Sequence, residues 1–449
     1  MNDCQKNPIF DYEKEPSRDI LCIDCKSFYA SVECVERGLN PLKTKLVVMS
    51  YPSDNPKERG SGLILASSPM AKKAYGISNV SRARDLPYPY PDDLIIAPPR
   101  MRLYMEKNQE INAIYKQFAD DNNHHVYSVD ESFLDMTEGM KMYHVSSAFE
   151  MARLIQREVY IKTGIYTAVG IGDNPLLAKL ALDNESKYYR HMKAEWRYQD
   201  VPNKIWKISD LTDFWGIGKR TTRRLQALNI YNLYDLAHAD YYLLKEALGV
   251  IGTQLYAHAW GIDRTFLGQV YHPLSKSIGN SQVLPRNYHD PKELEIVITE
   301  MADQVGTRLR RLGAKSQVIC LTIGFSLGYL SDDGKTGFRK QLKIRPTNTS
   351  GELARYLLGI FRQFYRCEHV RTVAIQASDL IYTHALQLNL FEEPESQIKR
   401  VQVDDVVDAI RKKHGFRALI HANSLLEGGR AIARSSLVGG HAGGMGGLE

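Results

Sequence analysis

The chain has 449 residues, of which 43% are hydrophobic and 24% charged, a composition that suits a globular protein with a sizeable core. No apolar run approaches the ~18 residues of a membrane span, the N-terminal stretch is polar and acidic, unlike a signal peptide, and six cysteines in this length form no disulfide framework. These features argue against a membrane protein or a disulfide-stapled secreted domain, and the expected location is a reducing cytoplasm. The net charge is +6, yet residues 264–385 hold 17 Lys and Arg against 10 Asp and Glu, so one segment carries the positive field expected of a module that touches a polyanion, or else a solvated basic surface.

In chain order, a polar leader (residues 1–18) precedes "DILCIDCKSFYASVECV", where an apolar strand ends at Asp24 and a helical spacing begins, with Ser27 as the expected cap. Cys22 and Cys25 have C-x-x-C spacing but no second pair follows, so zinc is not expected. "KLVVMS" and "LILASS" are short strands separated by the loop "YPSDNPKERGSG". "PMAKKAYG" is a helix opened by Pro and closed by Gly, and "DLPYPYPDDL" is non-helical. An amphipathic helix, "RMRLYMEKNQEINAIYKQFA", leads to two strands in "HHVYSVDESFLDMT", then to the helix "VSSAFEMARLIQREVYIKTG", the strand "YTAVGIG" and the helix "DNPLLAKLALDNESK". The pattern is a βαββαβ core with an insertion.

"FWGIGKRTTRRLQALNIYNLYDLA" sets a Gly-x-Gly turn between helices, a helix-hairpin-helix pattern whose turn amides can bind a phosphate, or equally a helix C-cap. A weaker echo follows in "ALGVIGTQLYAHAWGI". Residues 275–385 alternate strands and helices again, as a second and basic α/β unit, and the chain ends in a Gly-rich stretch expected to be disordered.

Three acids in the core could meet. Asp24 ends the first strand, while Asp130 and Glu131 sit side by side in a hairpin, where strict alternation would drive one carboxylate into the core. Three carboxylates with few nearby cations would invite two Mg²⁺ ions, which prefer oxygen ligands and can promote phosphoryl displacement. A capping Asp24 and a solvated Asp-Glu turn fit the same residues.

"IDCKSFYASVE" and "YSVDESFLD" resemble two motifs of the Y-family, UmuC-type translesion DNA polymerases, and the resemblance continues through "GIGKRTTRRLQALNI" and "SKSIGNSQVL" over roughly residues 19–390. It implies an α/β (α+β) right-hand polymerase with a ferredoxin-like palm (19–27 and 99–188), small fingers (28–98), a helical thumb (189–263), a linker (264–274), a little finger (275–385) and a tail (386–449). Asp24, Asp130 and Glu131, with the Cys25 carbonyl, fall on the family's ligands for two Mg²⁺, with Mn²⁺ as a substitute. Tyr29 falls on its steric gate against ribonucleotides, beside Phe28, which is expected to pack inward. Lys73 and Lys187 fall on its triphosphate-binding lysines, with Lys72 the rival to Lys73 and Met70 where the family often has an aromatic residue.

Backbone amides of Gly216, Ile217 and Gly218, with Lys219 and Arg220, are implied to hold a DNA phosphate. Lys276, Arg286, Arg308, Arg310, Arg311, Arg339 and Lys340 are further candidates for contacts to the DNA backbone. "QLNLF" (Gln387, Leu388, Leu390 and Phe391) resembles the family's sliding-clamp peptide. The implied substrates are primer–template DNA and dNTPs, the expected role is damage tolerance in an SOS response, and the expected location is the nucleoid. The competing readings are a catalytically silent DNA-binding accessory and a nucleotide cyclase on a related core.

Overall fold

The structure is a computed structural model that describes residues 10–49, 63–78, 81–269, 273, 275–383, 385, 388, 391–438 and 441–442. The chain divides into two compact units, residues 1–270 and 271–449.

In the first unit, β1 (Ile20–Cys25) runs into α1 (Phe28–Val35). A small sheet follows, in which β2 (Leu46–Met49) pairs antiparallel with β3 (Ile64–Ser67) and, after α2 (Pro69–Tyr75), parallel with β4 (Ile95–Ala97). The chain returns through α3 (Met101–Tyr115), the hairpin β5 (His124–Val126) and β6 (Glu131–Asp135), a short α4 (Gly139–Met142), α5 (Ala148–Thr163), β7 (Thr167–Gly172), α6 (Pro175–Asn184) and β8 (Lys193–Trp196). The main sheet has the order β5-β6-β1-β7-β8. Its first four strands have the ferredoxin-like arrangement expected of the βαββαβ pattern, with β1 antiparallel to both β6 and β7. The strand β8 corrects the expected palm boundary at residue 188. It pairs parallel with β7, so the sheet extends to Trp196. The strand β4 was likewise hidden, because three residues inside a Pro-rich stretch carry no readable period.

Alternation along β1 sorts the two faces. Leu21, Ile23 and Cys25 enter a core with Ile111 and Ile155 of α3 and α5, while Ile20 and Cys22 meet Ala178 and Leu182 of α6. The helix α6 lies very close to β7. A Cβ on Gly170 would stand 2.0 Å from the Ala178 carbonyl oxygen and 2.3 Å from the Leu182 nitrogen. Four helices complete the unit: α7 (Lys219–Gln226), α8 (Leu233–Ala237), α9 (Tyr241–Leu248) and α10 (Val250–Ala259).

The second unit is a four-stranded sheet of order β11-β10-β12-β9, built from β9 (Ile278–Tyr288), β10 (Ala314–Phe325), β11 (Gly337–Thr347) and β12 (Val370–Tyr382). The helices α11 (Pro291–Arg311) and α12 (Ser350–Phe364) bury one face over Ile319, Leu321 and Ile323. The region expected to be a tail continues this unit instead. There α13 (Pro394–His414) and α14 (Ala431–Ser435) dock on α11, with Arg411 paired to Asp303 at 2.6 Å. The Gly-rich end at 443–449 and the loop at 51–62 lie outside the described residues.

Because backbone atoms wall the site, Gly170→Ala should lower stability by about 1–3 kcal/mol or more, through forced separation of α6 from β7. Urea unfolding monitored by circular dichroism measures it, and an unchanged midpoint would contradict the close packing.

Candidate active site

Asp24 continues the alternation of Ile20 and Cys22, so its side chain stands on the α6 face at the end of β1. Its cross-strand partner is Glu131, the first residue of β6. Paired residues share a face, which brings these two carboxylates together. Asp130 escapes the alternation because it lies in the turn before β6. Its carbonyl accepts from the Cys25 amide at 2.9 Å, and Ser128 Oγ donates to its carboxylate at 2.9 Å. Adjacent acids thus converge without either entering the apolar core.

The expectation of few nearby cations is corrected here. Lys179 of α6 donates to Glu131 at 2.6 Å, and Lys187 lies 3.0 Å from Asp24. Asp183 bridges the two lysines at 3.0 and 2.9 Å. Burial, then the charge of Asp24, pushes the Asp130 carboxyl above its ordinary value. Burial also raises Glu131, against the pull of Lys179. Loss of water around the carboxylates is the larger cause of both shifts.

A cavity of about 220 Å³ opens here, lined by Asp24, Cys25, Phe28, Tyr29, Asp130 and three lysines, Lys26, Lys72 and Lys187. The sequence pointed to Lys73, but α2 presents Lys72 to this cavity and leaves Lys73 exposed, since neighbours on a helix point about 100° apart. Burial, and then repulsion from Lys26, lowers the Lys72 pKa. Burial works the same way on Lys187, but Asp24 and Asp183 outweigh it and raise that lysine. Lys26 and Lys179 escaped the sequence reading. The signal for Lys179 was the i, i+4, i+8 series Lys179, Asp183, Lys187.

The entry to α1 is strained. Ser27 occupies the cap position with φ 49° and makes no side-chain cap bond, unlike the expected Ser cap. The turn buries Phe28 and aims Tyr29 at the cavity. The Tyr29 ring stacks on Tyr104 at 4.5 Å. The Tyr104 hydroxyl donates to the buried Glu33 at 2.7 Å, and Arg100 and Arg37 complete that acid's shell. Burial alone would raise Glu33, but Arg100, Arg37 and Tyr104 hold it below the usual carboxylate range.

The other expected contacts divide. In the turn before α7, Gly216 has φ 96° and Gly218 is the helix cap, with Lys219 and Arg220 exposed. The Ile217 amide is spent on the Phe214 carbonyl at 3.0 Å and its side chain is buried, so it is unsuited to holding a phosphate. Arg310 is corrected too, its side chain only 8% exposed and paired with Asp404 and Asp408 at 3.0 and 2.6 Å. Arg286 is held by Glu293 and lies over Tyr288. Arg339 bonds Gln376 on the sheet face away from α12, while Lys340, one residue on, covers Phe364 on the helix side. Lys276, Arg308 and Arg311 are exposed. Gln387 and Leu390 lie outside the described residues, and Leu388 and Phe391 are exposed.

Comparison with known proteins decides the family. Profiles of the impB/mucB/samB family match residues 23–183, its helix-hairpin-helix motif residues 198–230, and its C-terminal domain residues 275–390. UvrX of Bacillus subtilis (strain 168), named for UV-damage repair, is 38% identical over 96% of this chain and all of its own length. A DNA polymerase IV 2 of the same organism is 32% identical over 94% of this chain and 98% of itself. The chain belongs to the bacterial Y-family of DNA polymerases. A solved Y-family polymerase chimera shares the fold, with TM-score 0.63 at 21% identity, covering 81% of this chain and all of the chimera.

Membership implies dependence on divalent metal in general. The hard oxygen donors of Asp24, Asp130 and Glu131 suit such an ion, and the raised carboxyls of Asp130 and Glu131 mark a place where added positive charge is favourable. Among the described residues no three such side chains close round an ion as they stand. Lys187 and Lys179 hold Asp24 and Glu131 instead. The donor set fits the ion once the lysines yield.

Glu33→Ala should cost about 1–3 kcal/mol by leaving the buried Tyr104 hydroxyl and the half-buried Arg100 without their acceptor. With its folded pKa lowered, the Glu33 contribution is full above the ~4.3 of a free carboxyl and is lost as pH falls through the lowered value. Urea unfolding across pH 3 to 6 should therefore show a steeper acid loss in the wild type than in Glu33→Gln, and equal slopes would refute it.

Proposed function

We propose that this enzyme adds deoxynucleotides to a primer 3′-OH under the direction of a template, as a low-fidelity translesion polymerase in DNA repair. The observation that carries the reading is the convergence of Asp24, Asp130, Tyr29 and three lysines on one cavity, with Glu131 the cross-strand partner of Asp24. In the reaction, the primer 3′-oxygen bonds the α-phosphorus of the incoming nucleotide and the bond to pyrophosphate breaks. Two Mg²⁺ held by the three acids and the Cys25 carbonyl would supply Lewis-acid stabilisation of the attacking and leaving oxygens. Lys72, Lys187 and Lys26 provide fixed positive charge for the triphosphate, where charge develops on the leaving group. The Tyr29 ring, backed by Tyr104, leaves no room for a ribose 2′-hydroxyl. Lys219, Arg220 and Arg339 are exposed candidates for DNA phosphates.

The finer calls also belong to this reading: an SOS setting, a place at the nucleoid, and clamp docking through 387–391. Among the described residues no helix is long and apolar enough to cross a membrane. A silent accessory has no need of the strained Ser27 turn or the desolvated acids, and a cyclase has none of the helix-hairpin-helix module that the family profile matches.

Primer extension on an undamaged template with Mg²⁺ and dNTPs tests the proposal. Extension should be lost, by roughly 10³-fold or more, in Asp130→Ala and in Glu131→Ala. DNA binding without extension by the intact protein would favour the accessory. In the same assay Lys72→Ala should raise the KM for dNTP by about tenfold while Lys73→Ala leaves it within about twofold, the loss expected for one charge-assisted contact. The reverse order would assign the fingers lysine to residue 73.

A further inference from the structure

The second unit contains a cavity of about 680 Å³ at the edge strand β9, closed by α11, α13 and α14. Five arginines face it, Arg308, Arg311, Arg411, Arg430 and Arg434, and among the described residues no carboxylate lines it. Three acids lie behind the wall, of which Asp408 accepts from the lining Thr307 at 2.8 Å and is held by Arg310 at 2.6 Å. Asp303 is taken by Arg411 at 2.6 Å. Glu300 accepts the Arg430 amide at 2.9 Å and lies 3.6 Å from Arg434. Five guanidinium groups therefore face the cavity, and among the described residues only Asp303 and Glu300 pair with any of them. The Arg434 side chain is only 10% exposed, and its Nε and Nη2, with Arg430 Nε, have no hydrogen-bond partner. These nitrogens are closed off from solvent, and their burial without acceptors costs free energy. Burial itself, only partly offset by Glu300, depresses the Arg434 pKa.

Asn280, Ser281, Gln282 and Gln304 add neutral polar groups to the walls. The volume is that of a small-molecule site, and guanidinium forks match phosphate oxygens. Three of the five arginines lie beyond residue 390, where the family's C-terminal profile ends.

We propose that this cavity is a binding site for a compact polyphosphate of the nucleoside di- or triphosphate class, separate from the candidate active site. The concave wall favours several phosphoryl groups of one small molecule over the single phosphates a nucleic-acid strand offers to an open surface. The site lies in the second unit and does not depend on the polymerase reading.

The test uses the full chain in EDTA at fixed ionic strength, with inorganic tripolyphosphate as probe in isothermal titration and thermal unfolding. The expected result is one saturable site and a raised melting temperature. Affinity should fall at least ~10-fold in Arg311→Gln, an exposed position that does not threaten the fold, and further in Arg430→Gln/Arg434→Gln. Absence of binding would overturn the proposal, as would binding that survives Arg311→Gln and Arg308→Gln. Loss of binding in Lys72→Ala would also overturn it, by moving the probe to the first unit. A labelled single-stranded oligonucleotide is the last arm. If it binds through Arg311 while tripolyphosphate does not, the cavity is a nucleic-acid track and the proposal fails.

Discussion

Three carboxylates share one desolvated corner of a sheet, and their mutual repulsion governs what surrounds them. Asp24 and Glu131 are cross-strand partners, and Asp130 hangs from the turn beside them. Like charges out of water raise one another's pKa unless cations intervene. In this protein the cations are Lys179 and Lys187, held on or just past α6 with Asp183 between them. The close seat of α6 against β7, at Gly170 and Gly172, sets how far those lysines can reach.

The same constraint explains the local strain. A strand that ends on Cys25, one residue past Asp24, must turn at once so that Phe28 can be buried and Tyr29 presented, and Ser27 takes a left-handed conformation to do it. Beneath Tyr29, the Tyr104 ring and the Glu33–Arg100 ion pair form a rigid floor, since a fully buried, fully paired acid has little freedom to move. A site that discriminates by exclusion needs a wall that does not yield. Polar order that costs stability thus sits at the place where chemistry is read.

In the second unit, charge is organised differently. Some basic residues are spent internally: Arg310, from the segment with the positive excess, and Arg411, beyond it, dock α13 through Asp404, Asp408 and Asp303. Others of the basic residues gather around a cavity that pairs few of them. A count of charges could not separate these uses, because an arginine in an ion pair and one facing solvent are the same letter.

Local pattern alone determined a good deal. The apolar strand that leads to Asp24, the Pro-to-Gly helix "PMAKKAYG" and the helix in "VSSAFEMARLIQREVYIKTG" each follow from short-range periods and turn chemistry, and they recur in the structure. The three acids were legible too, since adjacent carboxylates in a strand violate its period. Elements with little local signal were not legible: β4, too short to show a period, and β8, placed by its pairing with β7. Nor did sequence decide that Lys72 and not Lys73 faces the cavity, that Lys179 closes on Glu131, or that α13 folds back on α11. Those outcomes depend on helix rotation and on partners far away in the chain, and long-range packing is the term that local composition does not contain.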